Sequence, residues 1–278
     1  MIRQIFDNIG IPLLIAVFIL LFILETKFEL RKRVQGRLKR IIINFVVSIP
    51  AFTLLRFLFI PIMVWLAIKN QSLNIGLNYL YLLPRWAEVI IAFLLLDYTN
   101  YLWHILNHKL PILWRFHLVH HTDHDLDITT AFRFHFGELI GSVFFRGAAI
   151  FLIGASPMTV LVYEIFFEAA TQFHHSNLRL PWGFEKLLNK LIVTPRMHGI
   201  HHSVIQSERD ANYSVIFSFW DRIHKTLQLN KPQHQVVIGV PSYSNQDELT
   251  IGFLLKLPFS KIRPVKKSNV SDSPPERK

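Results

Sequence analysis

All but two of the 14 histidines fall into two stretches of the chain, and their spacing is that of metal ligands. The first stretch contains His104, His108, His117, His120, His121, His124 and His135, and the second contains His174, His175, His198, His201 and His202. Residues three and four positions apart share one face of a helix. One His-x-x-x-His pair and two His-x-x-His-His triplets therefore present their imidazoles in sets. His224 and His234 lie outside both stretches.

These three sets predict a site for two metal ions. Neutral imidazole is the commonest metal ligand and suits iron, zinc, copper and nickel. A single pair at this spacing arises easily by chance, and a lone histidine on an apolar helix face is usually a core residue. The pair and the two triplets together offer eight imidazoles, more than one tetrahedral ion uses.

The composition indicates a membrane protein. Hydrophobic residues make up 51% of the 278 residues, 24 are phenylalanine, and the mean hydropathy is +0.32. The absence of cysteine excludes disulfides, cysteine-ligated zinc and thiol catalysis. The net charge of +11 does not indicate nucleic acid, because the basic residues lie beside apolar segments, where they set topology and meet anionic lipid. The first apolar run leads into charged residues, so we expect no cleavable signal peptide.

Apolar segments and basic residues together predict the topology. The segments long enough to enter a bilayer are Ile9–Leu24, Ile41–Ile68 with Pro50 and Pro61 inside it, Trp86–Trp103, and a hairpin of Leu139–Ile153 and Met158–Phe173. The first is followed by the basic residues Lys27, Arg31, Lys32, Arg33, Arg37, Lys39 and Arg40. The positive-inside rule places this loop in the cytoplasm, and both histidine stretches then emerge on the cytoplasmic side.

The predicted fold class is all-α. We expect a polytopic membrane protein with about 4–5 transmembrane helices and a cytoplasmic, helical, histidine-rich cap that holds a dinuclear metal site. Residues 1–85 are predicted as an N-terminal transmembrane region and residues 86–230 as the catalytic domain. Residues 231–278 are predicted as a C-terminal cytoplasmic segment with a disordered tail.

Several charged residues near the histidines are candidates for supporting roles. Asp97 lies in the third apolar segment, seven residues before His104, and is predicted to accept a hydrogen bond from a ligand histidine; an interhelical hydrogen bond is the alternative. Neutral imidazoles leave metal charge to be compensated, for which the candidate carboxylates are Asp97, Asp123, Asp125, Asp127 and Glu138. Asp123 and Asp125 are interpreted as solvated loop charges. Arg133 could orient a carboxylate or bind an acidic headgroup.

A series of motifs over Asp97–Ile223 resembles the fatty acid hydroxylase/sterol desaturase superfamily, which are integral-membrane, non-haem di-iron oxygenases. The motifs are LDYTNYLWHILNH, LWRFHLVHHTDH, DLDITTAFRFHFGE, FHHSN, TPRMHGIHHS, NYS and FWDRI. The metal ligands implied by the resemblance are His104, His108, His117, His120, His121, His175, His198, His201 and His202, with His175 preferred to His174. Asp97, Arg133 and His135 are the predicted catalytic residues. Ile105, Phe136 and His224-Lys225-Thr226 depart from the family pattern without removing a ligand.

The resemblance implies O2-dependent hydroxylation or desaturation of a C–H bond in a lipid, such as a sterol or fatty acyl chain; an ether lipid or a carotenoid is also compatible. Two iron ions, O2 as co-substrate and a separate electron donor, cytochrome b5- or ferredoxin-like, are the expected cofactors and partners, because the sequence has no NAD or flavin motif. The expected location is a membrane, the bacterial inner membrane in preference to the endoplasmic reticulum. A transition-metal (zinc) transporter, a metal-binding membrane protein without oxygenase activity and a haem-binding electron carrier remain alternatives.

Overall fold

The computed structural model describes residues 2–80 and 84–264, with side chains from residue 4 onward. Within these residues the regular structure is helical, with no named strand and three isolated β-bridges. The prediction of an all-α fold is confirmed. The predicted disordered tail lies outside the described residues beyond position 264.

The described chain contains thirteen α-helices, joined by short π-helical and 3-10 turns. They are α1 Ile2–Ile5, α2 Ile11–Lys27, α3 Arg37–Leu54, α4 Ile60–Leu73, α5 Arg85–Lys109, α6 Pro111–His121, α7 Phe136–Ile153, α8 Pro157–His175, α9 Trp182–Leu188, α10 Pro195–His201, α11 Gln206–Arg209, α12 Phe219–Ile223 and α13 Ile251–Lys256. The π-helical turns are Phe6–Gly10 and Leu55–Phe59, and the 3-10 turns are Leu77–Tyr79, Ile128–Phe132, Gln233–Gln235, Pro241–Tyr243, Gln246–Glu248 and Leu257–Phe259.

Four helical stretches are long and apolar enough to cross a bilayer: Phe6–Lys27, Arg37–Tyr79, Arg85–Lys109 and Phe136–Ile153. At most 33% of the residues in the apolar part of each are buried, which leaves apolar surface for lipid. The protein is therefore an integral membrane protein with four candidate spans among the described residues. The second stretch is 43 residues long, and its π-helical turn Leu55–Phe59 lies just before Pro61, whose ring nitrogen has no hydrogen to donate.

The helices α7 and α8 are joined by the predicted turn, and both pack against α4 and α5. Of the two, α7 alone is among the four candidate spans of the described residues. The turn between them needs Gly154, whose φ of 72° is left-handed and whose absent Cβ would lie 2.8 Å from the carbonyl oxygen of Ile75. Ser156 caps α8 by accepting a hydrogen bond from the backbone N–H of Thr159. The C-terminal end of α8 carries His174 and His175, so the hairpin delivers these residues to the end of the bundle where α7 begins.

The basic segment after α2 is partly interior. Arg40 is 2% exposed, and its guanidinium binds Asp123 through Nε at 2.9 Å and Asp127 through Nη1 at 2.6 Å. Asp123 is itself 1% exposed, and Asp125 accepts hydrogen bonds from the backbone N–H groups of Val34 and Gln35, both at 2.9 Å. The interpretation of Asp123 and Asp125 as solvated charges is wrong, because their partners come from a segment about 80–90 residues earlier, which local spacing does not reveal.

Candidate metal centre

The structure brings nine histidines together in two adjoining groups. The five-histidine group consists of His104, His108, His117, His121 and His201, and the four-histidine group of His120, His175, His198 and His202. Within each group, one ring nitrogen from every residue lies within 4.8 Å of the others. These are the nine residues that the sequence predicts as ligands, contributed by α5, α6, α8 and α10 and by His202 directly after α10.

The nitrogens of the four-histidine group face one another at short range. Nε2 of His175 lies 3.0 Å from Nε2 of both His120 and His198, and Nε2 of His202 lies 3.1 Å from Nε2 of His198. Metal–nitrogen bonds of about 2.0–2.1 Å place adjacent ligand nitrogens about 3 Å apart when the bond angle is near a right angle. The four side chains therefore fit one metal position.

The five-histidine group has the same character and adjoins the first. Nε2 of His121 lies 3.2 Å from Nε2 of His117. The rings of His121 and His202 stack with their centroids 4.4 Å apart, which joins the two groups. Nε2 of His108 and Nε2 of His201 are buried and have no hydrogen-bond partner among the described residues. A metal ion would satisfy both lone pairs, so this group also fits a metal position.

Backbone carbonyl groups fix the orientation of three of the rings. The Nδ1–H groups donate from His104 to Tyr213 O at 2.8 Å, from His201 to Ala211 O at 2.7 Å and from His175 to Thr171 O at 2.7 Å. A carbonyl oxygen can only accept, so the proton lies on Nδ1 and the lone pair lies on Nε2, the atom that faces the group. This is the usual arrangement of a metal-binding histidine with an outer partner.

The loop that supplies two of these carbonyls is held by Asp221. Its carboxylate, buried at the start of α12, accepts hydrogen bonds from the backbone N–H groups of Tyr213 and Ser214, both at 2.9 Å. Thr226 donates a further bond to it at 2.6 Å. Burial raises the pKa of Asp221, and these hydrogen bonds oppose that rise by stabilising the charged form. Sequence reasoning missed Asp221, although it lies in the quoted FWDRI motif.

Two carboxylates lie directly against the five-histidine group. Glu138, buried near the start of α7, places Oε1 2.9 Å from Nδ1 of His117. Asp210 places Oδ1 3.8 Å from Nδ1 of His108. Glu138 is among the carboxylates that the sequence offered as charge compensation, whereas nothing in the spacing connected Asp210 with His108.

Five histidines of the two groups that lie outside the membrane spans are held in their neutral form. Burial, and secondarily the proximity of other imidazoles, lowers the pKa of all five well below the ordinary value: His120, His121, His198, His201 and His202. Since metals bind the unprotonated nitrogen, a depressed pKa keeps these ligands competent at neutral pH.

The structure places Asp97 away from the two groups. Its carboxylate accepts hydrogen bonds from the backbone N–H groups of Ile216 at 3.3 Å and Phe217 at 3.2 Å and from the indole of Trp220 at 2.8 Å. Its hydrogen bonds in the described chain do not include one from a histidine, so the predicted contact with a ligand is wrong. Seven residues on one helix face correspond to about 10 Å of rise, which is too far for a direct bond. Asp97 instead binds the segment 216–220, which directly follows the loop that carries the Ala211 and Tyr213 carbonyl groups.

Arg133 and His135 also lie outside both groups. Arg133 is 2% exposed and donates to three neutral oxygens, those of Val119 at 2.9 Å, Asn44 at 2.8 Å and Thr122 at 3.1 Å. It donates no hydrogen bond to a carboxylate among the described residues, and binding of an acidic headgroup stays a prediction. His135 caps α7 by accepting from the backbone N–H of Gly137 at 3.0 Å. Their catalytic roles remain predictions. His174 also lies outside the groups and bonds to Val215 O at 3.1 Å, which agrees with the preference for His175.

A mostly apolar cavity of ≈ 100 Å³ lies within the helix bundle, and two of its lining residues contact ligand histidines. Its inner end is lined by Glu138 and Phe134, and the Phe134 ring stacks on His120 with centroids 4.7 Å apart and planes 8° from parallel. A second, almost wholly apolar groove of ≈ 370 Å³ is lined by residues of α2 and α3 and shares Phe52 and Phe132 with the cavity. Together they offer an apolar route from the lipid-facing surface to Glu138 and Phe134, the residues that contact His117 and His120.

Comparison with known proteins agrees with this geometry. The fatty acid hydroxylase family model matches residues 89–226. The ornithine lipid hydroxylase OlsE of Rhizobium tropici is 28% identical over 184 residues, covering 64% of this chain and 52% of that protein. Human cholesterol 25-hydroxylase is 29% identical over 144 residues, 51% of each chain. Human alkylglycerol monooxygenase is 29% identical over 152 residues, 54% of this chain and 32% of that protein. The chain thus spans about half the length of the first two relatives, and no solved structure matches it.

Proposed function

Because this chain belongs to the fatty acid hydroxylase/sterol desaturase superfamily, we propose that it is a di-iron, O2-dependent oxidoreductase that hydroxylates or desaturates a C–H bond of a membrane lipid. The observation that carries the proposal is the pair of adjoining histidine groups next to Glu138 and Phe134, which line an apolar cavity. The three relatives are named as hydroxylases or a monooxygenase, which favours hydroxylation.

Each histidine group would hold one iron ion. Bound iron would supply the activation of O2, which amino-acid side chains do not provide. The protein's contribution is positional: the carbonyl-anchored rings aim their lone pairs, and Glu138 places negative charge beside His117. Phe134 covers His120 on the side of the cavity and helps to exclude water from the carbon that reacts. Electrons would come from a separate cytochrome b5- or ferredoxin-like protein.

The alternative of a metal transporter is not favoured. A transporter places polar ligands near the bilayer midplane on several spanning helices. Here the nine histidines gather where the spanning helix α5 ends and α8 ends, beside the non-spanning helices α6 and α10. A binding protein without oxygenase activity would not need the apolar cavity that reaches Glu138 and Phe134.

Expression in a bacterial host under isotopically labelled O2 tests the proposed function. We expect a membrane lipid that gains one labelled oxygen, or that loses two hydrogens if the reaction is desaturation, as measured by mass spectrometry of the total lipid extract. The matched control is His198→Ala, which should give the lipid profile of cells without the protein. A profile unchanged by the wild type, with iron bound and a suitable donor co-expressed, would contradict the proposal.

The histidine groups are proposed to face the cytoplasm. Arg31 and Arg40 of the basic segment contact Pro195 and Asp123, so that segment lies on the same side of the bundle as the metal centre. Since the chain contains no cysteine, single cysteines report position without background. We expect a membrane-impermeant maleimide to label Lys32→Cys only after the inner membrane is opened. Leu77→Cys, at the far end of the stretch Arg37–Tyr79, should react in cells with only the outer membrane permeabilised. The reverse pattern would refute this orientation.

A further inference from the structure

The wall of the cavity contains charged residues that are separate from the two histidine groups. Arg146 of α7 donates a short hydrogen bond to Glu164 of α8, and its guanidinium lies over the ring of Phe167 at 4.9 Å. Glu168, one turn further along α8, lines the same cavity as Arg146. In the described part of the chain, the Glu168 carboxylate accepts no hydrogen bond and forms no ion pair. Among the described residues, Glu168 therefore faces the cavity without a hydrogen-bond partner, and its only nearby opposite charge is the Arg146 guanidinium, which already pairs with Glu164.

The pairing of Arg146 with Glu164 accounts for only part of this cluster. Charged side chains within a membrane protein are costly and normally occur in pairs or in functional sites. Arg146 and Glu164 are 9% and 7% exposed and satisfy each other. Glu168 adds a second carboxylate beside a single guanidinium, so the cluster has a carboxylate that is free to accept a hydrogen bond from a ligand.

We propose that Glu168 binds a hydroxyl group of the lipid substrate and thereby selects the carbon that is presented to the metal centre. This inference rests on the proposed function, because it takes the occupant of the cavity to be the lipid that is oxidised. A neutral hydroxyl suits the site better than an ammonium group, since a cation would have to lose its hydration to enter an apolar cavity. A carboxylate acceptor also forms a stronger hydrogen bond than a neutral oxygen does.

Helix geometry fixes the distance between the two ends of this site. Glu138, in contact with His117, lies eight residues before Arg146 on α7, and Glu168 lies seven residues before His175 on α8. At 1.5 Å per residue, both separations correspond to about 10–12 Å. The lipid should therefore carry its hydroxyl about 10–12 Å from the carbon that is oxidised.

Glu168 also stands where a lipid would enter the cavity. The groove between α2 and α3 and the inner cavity share Phe52, Leu55, Phe132 and Glu168. The groove wall includes Ile15, which is 53% exposed and so lies at the surface that faces lipid. A lipid that moves sideways from the bilayer would meet the Glu168 carboxylate before it reaches Phe134, so the contact can select among lipids at the junction.

Fluorescence quenching of Trp103, which lines the cavity, tests the site without turnover. The full-length protein in nanodiscs is titrated with a bromoalkanol and with the bromoalkane of the same chain length, because bromine quenches tryptophan on contact. We expect the alkanol to quench at a roughly tenfold lower concentration, as one hydrogen bond to a charged group predicts. Glu168→Leu should remove this preference. Because Trp65 and Trp86 are 55% and 68% exposed and can be quenched from the bilayer, the signal compared is the part of the quenching that Trp103→Phe removes.

The matched control is Ser142→Ala, which removes a hydroxyl from the same cavity and should keep the preference. If Glu168→Leu does not fold, Glu168→Gln replaces it, and the preference should then shrink because the acceptor is no longer charged. Equal quenching by the two probes in the wild type, or a preference that survives in both Glu168 variants, would overturn the inference. Quenching needs neither O2 nor electrons, so a retained preference in a protein that oxidises no lipid would refute the proposed reaction and leave the hydroxyl site standing.

Discussion

Replacing His120 by alanine is expected to abolish lipid oxidation and to reduce bound metal from about two equivalents to about one. Nε2 of His120 lies 3.0 Å from Nε2 of His175, and the substitution leaves the four-histidine group with three imidazoles. The five-histidine group contains none of the atoms removed and should keep its ion. Metal content measured by elemental analysis, together with labelled-lipid product, gives both readouts.

The matched control is His234→Ala. His234 is exposed and lies outside both groups, so this variant should keep the wild-type metal content and activity. Zinc can replace iron in overexpressed protein, since nitrogen sites do not favour ferrous iron, so the total of both metals is the relevant count. A wild-type protein that binds one equivalent, or a His234→Ala variant as inactive as His120→Ala, would contradict the division of histidines described above.

Replacing Arg40 by methionine is expected to destabilise the protein by about 3–5 kcal/mol, the usual result of removing one partner of a buried ion pair. Burial raises the pKa of Asp123, but the guanidinium groups of Arg40 and Arg133 lower it more, so the carboxylate is held charged. Without Arg40, Asp123 and Asp127 would be left as buried carboxylates with less compensation. Thermal unfolding in detergent, followed by size-exclusion chromatography, measures the loss.

Lys39→Met provides a control at the neighbouring position. Lys39 is 63% exposed and pairs with Asp247, which is 90% exposed, so its removal should change stability little. In the double variant Arg40→Met with Asp123→Asn, one uncompensated charge is gone and part of the loss should be recovered. Equal stability of Arg40→Met and Lys39→Met would show that the buried pair contributes nothing to the fold.

The helical spacing of the histidines predicted much of the candidate site, because ligands that share a helix face must converge once the helices pack. The eight histidines of the spacing sets all meet in the structure, and the ninth, His175, was implied by the family resemblance and not by spacing. The four apolar spans were visible for a similar reason, since hydropathy over some twenty residues depends on the local sequence alone.

The contacts that orient the site were harder to predict. They join residues far apart in the chain, such as Tyr213 O with His104 and Arg40 with Asp123, separated by 109 and 83 positions. Every residue has a backbone carbonyl group, so the sequence could not show which carbonyl groups would bind the imidazoles. The prediction for Asp97 was wrong because two residues on the same helix face can still be too far apart to form a hydrogen bond. The partners of Asp97 come from a loop more than a hundred residues later in the chain.

The position of Arg40 determines which segments of this protein could be exchanged with those of its relatives. The segment matched by the family model begins at residue 89. Two residues before it nevertheless bind residues inside it: Arg40 forms an ion pair with Asp123, and Glu25 accepts hydrogen bonds from the backbone N–H groups of Ile128 and Asn177. These contacts cross the predicted boundary between residues 85 and 86, which remains a prediction. A chimera that exchanged only the matched segment would separate Asp123 from Arg40 and place it next to whatever residue the relative has at that position. A functional chimera should therefore take residues 25–44 and the histidine-bearing segment from the same parent protein.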